Sequence, residues 1–373
     1  MSSTDFSQIK RIVLKVGSSL LADPVHGINM QMVQRLAADI QNLQSRGIEV
    51  CLVSSGAVAL GRVQLGWVGK KLSVHEKQAA AAVGQPMLMH AYKQAFSELG
   101  VVVAQMLLTK DDLRHQRRYL NASNTSHTLF KANVVPIVNE NDTVVVEEIK
   151  FGDNDSLGAL VSTVVKADLM VMMTDVDGLF DANPVANKDA KRISEVVKLN
   201  AEVFAMAGDV GSSFGTGGML SKLHAANIAI HSGVTAAVIN GSKPGTLMQL
   251  LAGEDVGTIF RCGEDRHSLH EHAISNLLHV AGQLQVGEQA LTSLVNDKRL
   301  EPQYLESLQG DFDKGDCLEI WSGKQLVAKG LSNYSKTELE KLVGCLPSEI
   351  EARLGYVDFH SVILPENLVV MGQ

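Results

Sequence analysis

A set of short stretches in the chain is apolar almost from end to end: Arg11–Val16, Glu49–Val53, Val101–Leu108, Val134–Val138, Leu169–Thr174 and Val234–Ile239. A strand with one wet face alternates apolar and polar residues; these do not, so they are expected to be strands buried on both faces. Helical patterns lie between them: Met30–Arg46 (stopped by Gly47), Gln116–Lys131, Leu157–Lys166 and Met219–His231. Strand and helix in alternation predict an α/β protein, a three-layer αβα sandwich around a mainly parallel sheet. Ligands of such a fold sit at the carboxyl ends of the strands.

The texture changes after Phe260. "RCGEDRHSLHEH" is polar, and the residues beyond it read as short strands with glycine turns, as in "FDKGDCLEIWSGKQLVAKG". The expected division is a first domain over 1–260, a linker over 261–276 and a small β-rich domain over 277–373, and a chain ending near Ser275 is expected to fold and stay active. Histidines at 267, 270, 272 and 279 match no compact ligand spacing, so a solvated linker is favoured over a metal site. With 45% hydrophobic and 20% charged residues, the chain has the composition of an ordinary globular protein. No apolar run reaches the ~18 residues of a membrane span, and "MSSTDFSQIKR" has no signal-peptide core. Cys51, Cys262, Cys317 and Cys345 are far apart and form no C-x-x-C pair, which fits reduced thiols in a cytoplasm.

Chemistry is concentrated in turns at strand ends. "LKVGSSLL", "VSSGAVALG" and "GSSFGTGGMLSK" combine glycines with hydroxyls, and two of them carry a lysine. Glycines let phosphate oxygens approach backbone N–H groups, and a helix N-terminus favours anions. Neither a Walker A loop nor a G-x-G-x-x-G fingerprint is present. A fourth turn, "MMTDVDGLFDANP", offers Thr174 and Asp175 along which a base and ribose could lie. Between Asn139 and Asp155 stands "NENDTVVVEEIKFGDND", with six carboxylates. A metal, a cationic ligand and a solvated loop are all open readings of it.

These motifs, together with "AAAAVGQPMLM", "QMLLT", "TDVDGLF", "GTGGMLSKLHAANIA" and "GSKPG", resemble the glutamate 5-kinases of the amino-acid kinase superfamily. The joint pair NEND and GDND separates that family from the aspartate, acetylglutamate and uridylate kinases, which share its fold. The C-terminal "GDFDKGDCLEIW", "AKGLSNYS" and "ARLGY" resemble a PUA domain. Ser221 departs from the threonine usual before Lys222 but keeps the hydroxyl, and "RLEPQYLESLQGDF" replaces the usual "SLLP-x-G" stretch.

The resemblance implies transfer of the ATP γ-phosphoryl group to the side-chain carboxylate of L-glutamate, the first step of proline biosynthesis, with Mg²⁺ arriving bound to ATP and no metal held by protein carboxylates. Lys15 and Lys222 would flank the phosphoryl group, and Asp155 would orient both and keep them charged. ATP would lie along Lys15, Gly17, Thr174, Asp175 and the run Thr216, Gly217, Gly218, Met219, Leu220, Ser221 and Lys222. The substrate's ammonium would meet Asp142 and Asn154, its anionic ends Ser55 and Gly56, while Glu147 and Glu148 stay solvated. A homo-oligomer (dimer or tetramer), inhibition by proline and a partnership with glutamyl-phosphate reductase are implied as well. An N-acetylglutamate or aspartate kinase is the runner-up, disfavoured by acceptors suited to a charged amine. RNA binding by the tail is the distant alternative: eight Lys+Arg against fourteen Asp+Glu from Leu277 to Gln373 give −6 there, within a whole-chain charge of −8, and such a charge opposes phosphate binding.

Overall fold

The computed structural model describes residues 6–23, 27–144, 153–184, 187–207, 218–262 and 280–371. The chain divides into two compact units, one of Met1–Leu113 with Ser123–Arg266 and one of Arg114–Ala122 with His267–Gln373. All but Arg261 and Cys262 of the expected linker, the histidines at 267, 270, 272 and 279, and Glu147 and Glu148 lie outside the described residues.

From the N-terminus, β1 (Arg11–Val16) leads through the single turn α1 (Ser18–Leu21) and the ribbon β2 (Ala22–Asp23) and β3 (Gly27–Ile28) into α2 (Met30–Ser45). Then come β4 (Glu49–Val53), α3 (Ala57–Gln64), α4 (Val74–Ser97), β5 (Val103–Leu108), α5 (Lys110–Arg114), α6 (Gln116–Lys131) and β6 (Val135–Glu140). They are followed by α7 (Asp153–Val164), β7 (Leu169–Thr174), β8 (Glu195–Val196), α8 (Ala201–Ala207) and α9 (Met219–His231). Next are β9 (Thr235–Asn240), α10 (Thr246–Leu251) and β10 (Thr258–Phe260). The main sheet runs β5-β6-β4-β1-β7-β9-β10-β8, parallel except where β10 meets β9. Every residue of β6 and β7 is buried, as the continuous apolar runs require, whereas the edge strand β5 is partly exposed.

Register brings the strand ends into one row. Val138, Val53, Lys15, Met172 and Val238 are partners across β6-β4-β1-β7-β9. Two residues further along each strand stand Glu140, Ser55, Gly17, Thr174 and Asn240. The row crosses the point where chain order reverses about β1, the position at which doubly wound sheets bind ligands. Side-chain alternation assigns the faces. Ile12, Leu14 and Val16 join the core beneath α2 and α4, which leaves Val13 and Lys15 on the opposite face. That face meets α7 at Gly158, where a Cβ would stand 3.3 Å from Lys15 Cγ.

Helix α2 starts at Asn29, whose side chain accepts from the Met32 N–H, and it buries Met32, Leu36, Ile40 and Leu43 at helical spacing. Helix α4 opens with a Ser73–Glu76 capping box. It crosses α3 backbone to backbone: a Cβ on Gly84 would fall 1.9 Å from the Ala57 carbonyl oxygen, and one on Gly61 1.8 Å from that of Ala80. This contact seats α3, and Gly56 at its N-terminus turns the chain with φ 103°.

Two sequence boundaries move with consequence. Strand β6 runs on to Glu140, so Asn139 and Glu140 are strand residues rather than loop. Helix α7 begins at Asp153 and not at Leu157, so Asp153–Asp155 is a helix start, where the helix dipole favours acidic residues.

The second unit is a five-stranded sheet in the order β12-β11-β13-β14-β15, from β11 (Val280–Val286), β12 (Leu305–Gly310), β13 (Cys317–Ser322), β14 (Gln325–Leu331) and β15 (Leu368–Val370). Leu284, Ile320, Tyr334 and Leu342 are among its core residues. Its Arg114–Ala122 segment supplies Leu120, buried with Cys317 and Leu331, and Arg117, which meets Asp313 at 2.8 Å. A chain ending near Ser275 would strip these residues of their partners. None of the four cysteines is in a disulfide, and among the described residues no helix is long and apolar enough to cross a membrane.

Gly84→Ala is expected to destabilise the protein by about 3 kcal/mol, the upper end of the cost of overpacking, because backbone rather than a yielding side chain meets the methyl. Denaturant unfolding measures this, and a loss under about 0.5 kcal/mol would mean the helices do not cross so closely.

Candidate active site

The lysine side chain is long enough to place its ammonium beyond the end of its own strand. Lys15 uses that reach to meet Asp155 from α7, Nζ to Oδ1 at 2.6 Å, and Lys222 from α9 meets the other oxygen at 3.3 Å. The Ser221 hydroxyl donates to Asp155 Oδ2 at 2.7 Å. Asp155 is fully buried and each lysine is 4% exposed. Two ammonium groups against one carboxylate leave one excess positive charge in a dry place, and such a charge calls for an anion. Burial acts to raise the Asp155 pKa, but the charges of Lys15 and Lys222 and its hydrogen bonds prevail and hold it below the ordinary carboxylate value. On Lys222 burial is the largest influence, and with the Lys15 charge it outweighs the attraction of Asp155 and pushes the pKa down. Asp155 acts to support the charge of Lys222 without restoring its ordinary basicity.

The turns expected to cradle phosphates flank this cluster. Helix α9 starts from Gly218 with no side-chain cap, so the N–H groups of Met219 and Leu220 have no acceptor within the helix, while that of Ser221 donates to Gly218 O at 3.1 Å. Leu220 is exposed. Gly17 donates its N–H to Met173 O at 3.1 Å, tying the β1 turn to β7. Thr174 is buried, its hydroxyl on Asp175 Oδ1 at 3.1 Å. Thr216 and Gly217 lie outside the described residues. Sequence reasoning missed Asn240, which donates to Asp177 Oδ1 at 3.0 Å; Asp177 also pairs with Lys243 at 2.5 Å. The "GSKPG" turn holds the "TDVDG" turn in this way.

The other end of the row is acidic. Burial and then the neighbouring Asp142 charge raise Glu140 to about 7, and burial raises Asp142 to about 6. Glu140 Oε2 is buried without a hydrogen-bond partner among the described residues. Between the poles lies a band of amides and hydroxyls. Asn154 Nδ2 reaches Ser55 Oγ at 2.9 Å, Ser54 O at 3.1 Å and Asn139 Oδ1 at 3.2 Å. Asn139 Nδ2 donates to Gln85 Oε1 at 2.7 Å, and Ser54 Oγ lies 3.0 Å from the Tyr92 hydroxyl. Asn154 and Ser55 are thus brought together, with Gly56 next in the turn. Asp142 joins the pole through Glu140, and no hydrogen bond links it to Asn154 among the described residues. Gln85, Asn139 and Glu140 are additions to the expected set. Their signal was weak: a lone amide in an alanine-rich helix, and two polar residues closing an apolar strand.

Residues 10–240 match the amino acid kinase family, and residues 282–354 match the PUA domain. The chain is 44% identical to the glutamate 5-kinase of Geobacter sulfurreducens over 374 residues, covering 100% of both. Identity to the glutamate 5-kinase of Syntrophotalea carbinolica is 45%, with 98% of each chain covered. For that of Caldanaerobacter subterraneus subsp. tengcongensis it is 43%, covering 97% of this chain and 98% of the relative. Such identity along the whole length shows that the chain belongs to the glutamate 5-kinase family, within the amino acid kinases.

Proposed function

We propose that the protein transfers the γ-phosphoryl group of ATP to the side-chain carboxylate of L-glutamate, giving L-glutamyl 5-phosphate and ADP at the start of proline biosynthesis. The observation that carries this reading is the pairing, along one row of strand ends, of the buried net-positive Lys15–Asp155–Lys222 cluster with the acidic end at Glu140 and Asp142. A zwitterionic substrate with a second carboxylate suits two such poles. The strands β6 and β1 that bear them stand two inter-strand spacings apart, roughly 10 Å.

The attacking carboxylate, of reference pKa ~4.3, is ionised at neutral pH and needs no general base. One of its oxygens bonds to the γ-phosphorus as the bond from that phosphorus to the bridging oxygen breaks, and ADP leaves with the electron pair. The obstacle is repulsion between two anions, so catalysis is positioning and charge neutralisation. Lys15 and Lys222 supply positive charge, and Asp155 with Ser221 keeps the two ammonium groups in place. The N-terminus of α9 and the Gly17 turn receive phosphate oxygens, while Thr174 and Asp175 line the nucleotide. Mg²⁺ enters as part of the nucleotide substrate and adds to the neutralisation. Asp142 and Asn154 accept from the substrate ammonium, and Ser55 and Gly56 donate to its anionic groups. Proline carries the same α-amine and α-carboxylate and would inhibit by occupying the same acceptors. A dimer or tetramer, and hand-over of the water-labile acyl phosphate to glutamyl-phosphate reductase, belong to the same reading.

An N-acetylglutamate kinase would present a neutral amide to the buried Glu140 and the half-buried Asp142, which the acidic pole disfavours. ADP release with L-glutamate, N-acetylglutamate and L-aspartate decides the matter: preference for any acceptor other than L-glutamate overturns the proposal.

Lys222→Met keeps length and helix propensity but removes the charge. The expected fall in kcat is at least ~10²-fold, with a much smaller change in ATP affinity; a kcat within about threefold of the parent would remove Lys222 from its role.

The acidic pole sets a pH dependence. Glu140, raised from 4.5 to about 7, and Asp142, raised from 3.8 to about 6, take up protons as pH falls through those values. The KM for L-glutamate should therefore rise by roughly tenfold between about pH 8 and about pH 5.5, and the KM for ATP much less. Asp142→Asn should raise the KM at high pH and flatten part of this dependence. Stability moves the opposite way. A raised carboxylate pKa contributes stability that is present below the unfolded value and lost as pH rises through the folded one. A flat KM profile in the parent enzyme would refute the placement of the ammonium.

A further inference from the structure

Three buried polar atoms at the substrate end have no partner among the described residues: Gln85 Nε2, Glu140 Oε2 and Asn154 Oδ1. Which atom of each amide is left over is dictated by the backbone. The Glu140 N–H can only donate, and its acceptor at 2.9 Å is Asn139 Oδ1. Asn139 must then present Nδ2 to Gln85, so Gln85 accepts through Oε1 and keeps Nε2 unspent. The Ser54 carbonyl can only accept, at 3.1 Å from Asn154 Nδ2, so Asn154 keeps Oδ1 unspent. The result is one neutral donor and two acceptors, one of them a carboxyl oxygen: Gln85 and Asn154 are hydrogen-bonded to Asn139, and the Glu140 carboxyl is held by the Lys110 backbone.

We propose that Gln85 and Glu140 complete the amino-acid subsite, Gln85 Nε2 donating to the substrate α-carboxylate and Glu140 Oε2 accepting from its ammonium beside Asn154 Oδ1. An ammonium has three N–H donors, and Glu140, Asn154 and Asp142 provide one acceptor each. A buried unpaired donor or acceptor is costly, and a zwitterion satisfies all of these at once. The inference rests on the reaction proposed above and adds that the enzyme selects for a free α-carboxylate as well as a free amine.

Gln85→Glu preserves the acceptor that Asn139 uses and replaces the free donor by an acceptor. It should raise the KM for L-glutamate by about tenfold or more, by a larger factor than kcat falls. Against L-isoglutamine, whose α-carboxamide can donate, the variant's preference should shift toward the amide by at least about tenfold in kcat/KM, which a merely structural role would not do. Glu140→Gln, nearly isosteric, should raise the KM for L-glutamate by a similar factor, leaving the KM for ATP near that of the parent. Both proteins are melted beside the parent, and Gln85→Met serves if Gln85→Glu does not fold: its KM must rise too. An unchanged glutamate KM and an unshifted preference in a folded, glutamate-dependent enzyme overturn the subsite alone. A parent enzyme indifferent to L-glutamate overturns the reaction itself.

Discussion

Two ammonium groups share one carboxylate in a space almost closed to water, and much of the first unit is arranged around that meeting. Lys15 reaches it because it occupies an odd position on β1, on the face away from the α2–α4 core. Its stem passes α7 where Gly158 leaves room. Asp155 is there because Asp153–Asp155 starts a helix, and Lys222 because it lies one turn into another. As a stability device the cluster is poor, since desolvating three charges costs more than a hydrophobic filling of the same volume would. Its value is electrostatic: the excess positive charge is fixed before any ligand arrives, so little reorganisation is left for the reaction. The depressed basicity of Lys222 is the sign that this charge is held against its solvation preference.

The amide band between the poles complements it. A side-chain amide can usually be read in either orientation, but here a backbone N–H at Glu140 and a backbone carbonyl at Ser54 remove the choice. Polarity is handed along from main chain to Asn139, Gln85 and Asn154, so the scaffold decides where donors and acceptors face. Tyr92, buried against Ser54, and the close crossing of α3 and α4 steady the same turn.

Most of the sheet was legible in the chain because full burial leaves a strong pattern. Arg11–Val16, Glu49–Val53 and Leu169–Thr174 are strands with the expected bounds, and Gln116–Lys131 and Met219–His231 are helices with theirs. Lys15, Asp155, Lys222 and Ser221, singled out from separate motifs, lie in contact with one another. What escaped was set by tertiary context. Glycine, Asp and Asn at GDND carry the same local signal for a loop as for a helix start. Glu140 ends a strand that looks complete at Val138, and Gln85 has no local feature to distinguish it from a solvated amide. Only contacts between residues distant in sequence reveal these.

The composition of the second unit bears on how the molecule assembles. Arg117 and Asp313 are paired within it although 196 residues separate them along the chain, and Leu120 is buried there with Cys317 and Leu331. The first unit thus contains most of the chain between the two stretches that form the second. On a ribosome, the segment Arg114–Ala122 is made long before its partners exist and must wait, with an apolar side chain uncovered, until the C-terminal strands emerge. Closure over such a separation is entropically slow and leaves that segment open to wrong contacts meanwhile. Completion of the second unit is therefore expected to be a late event in folding, and Leu120 a place where crowding by nascent neighbours is most readily felt.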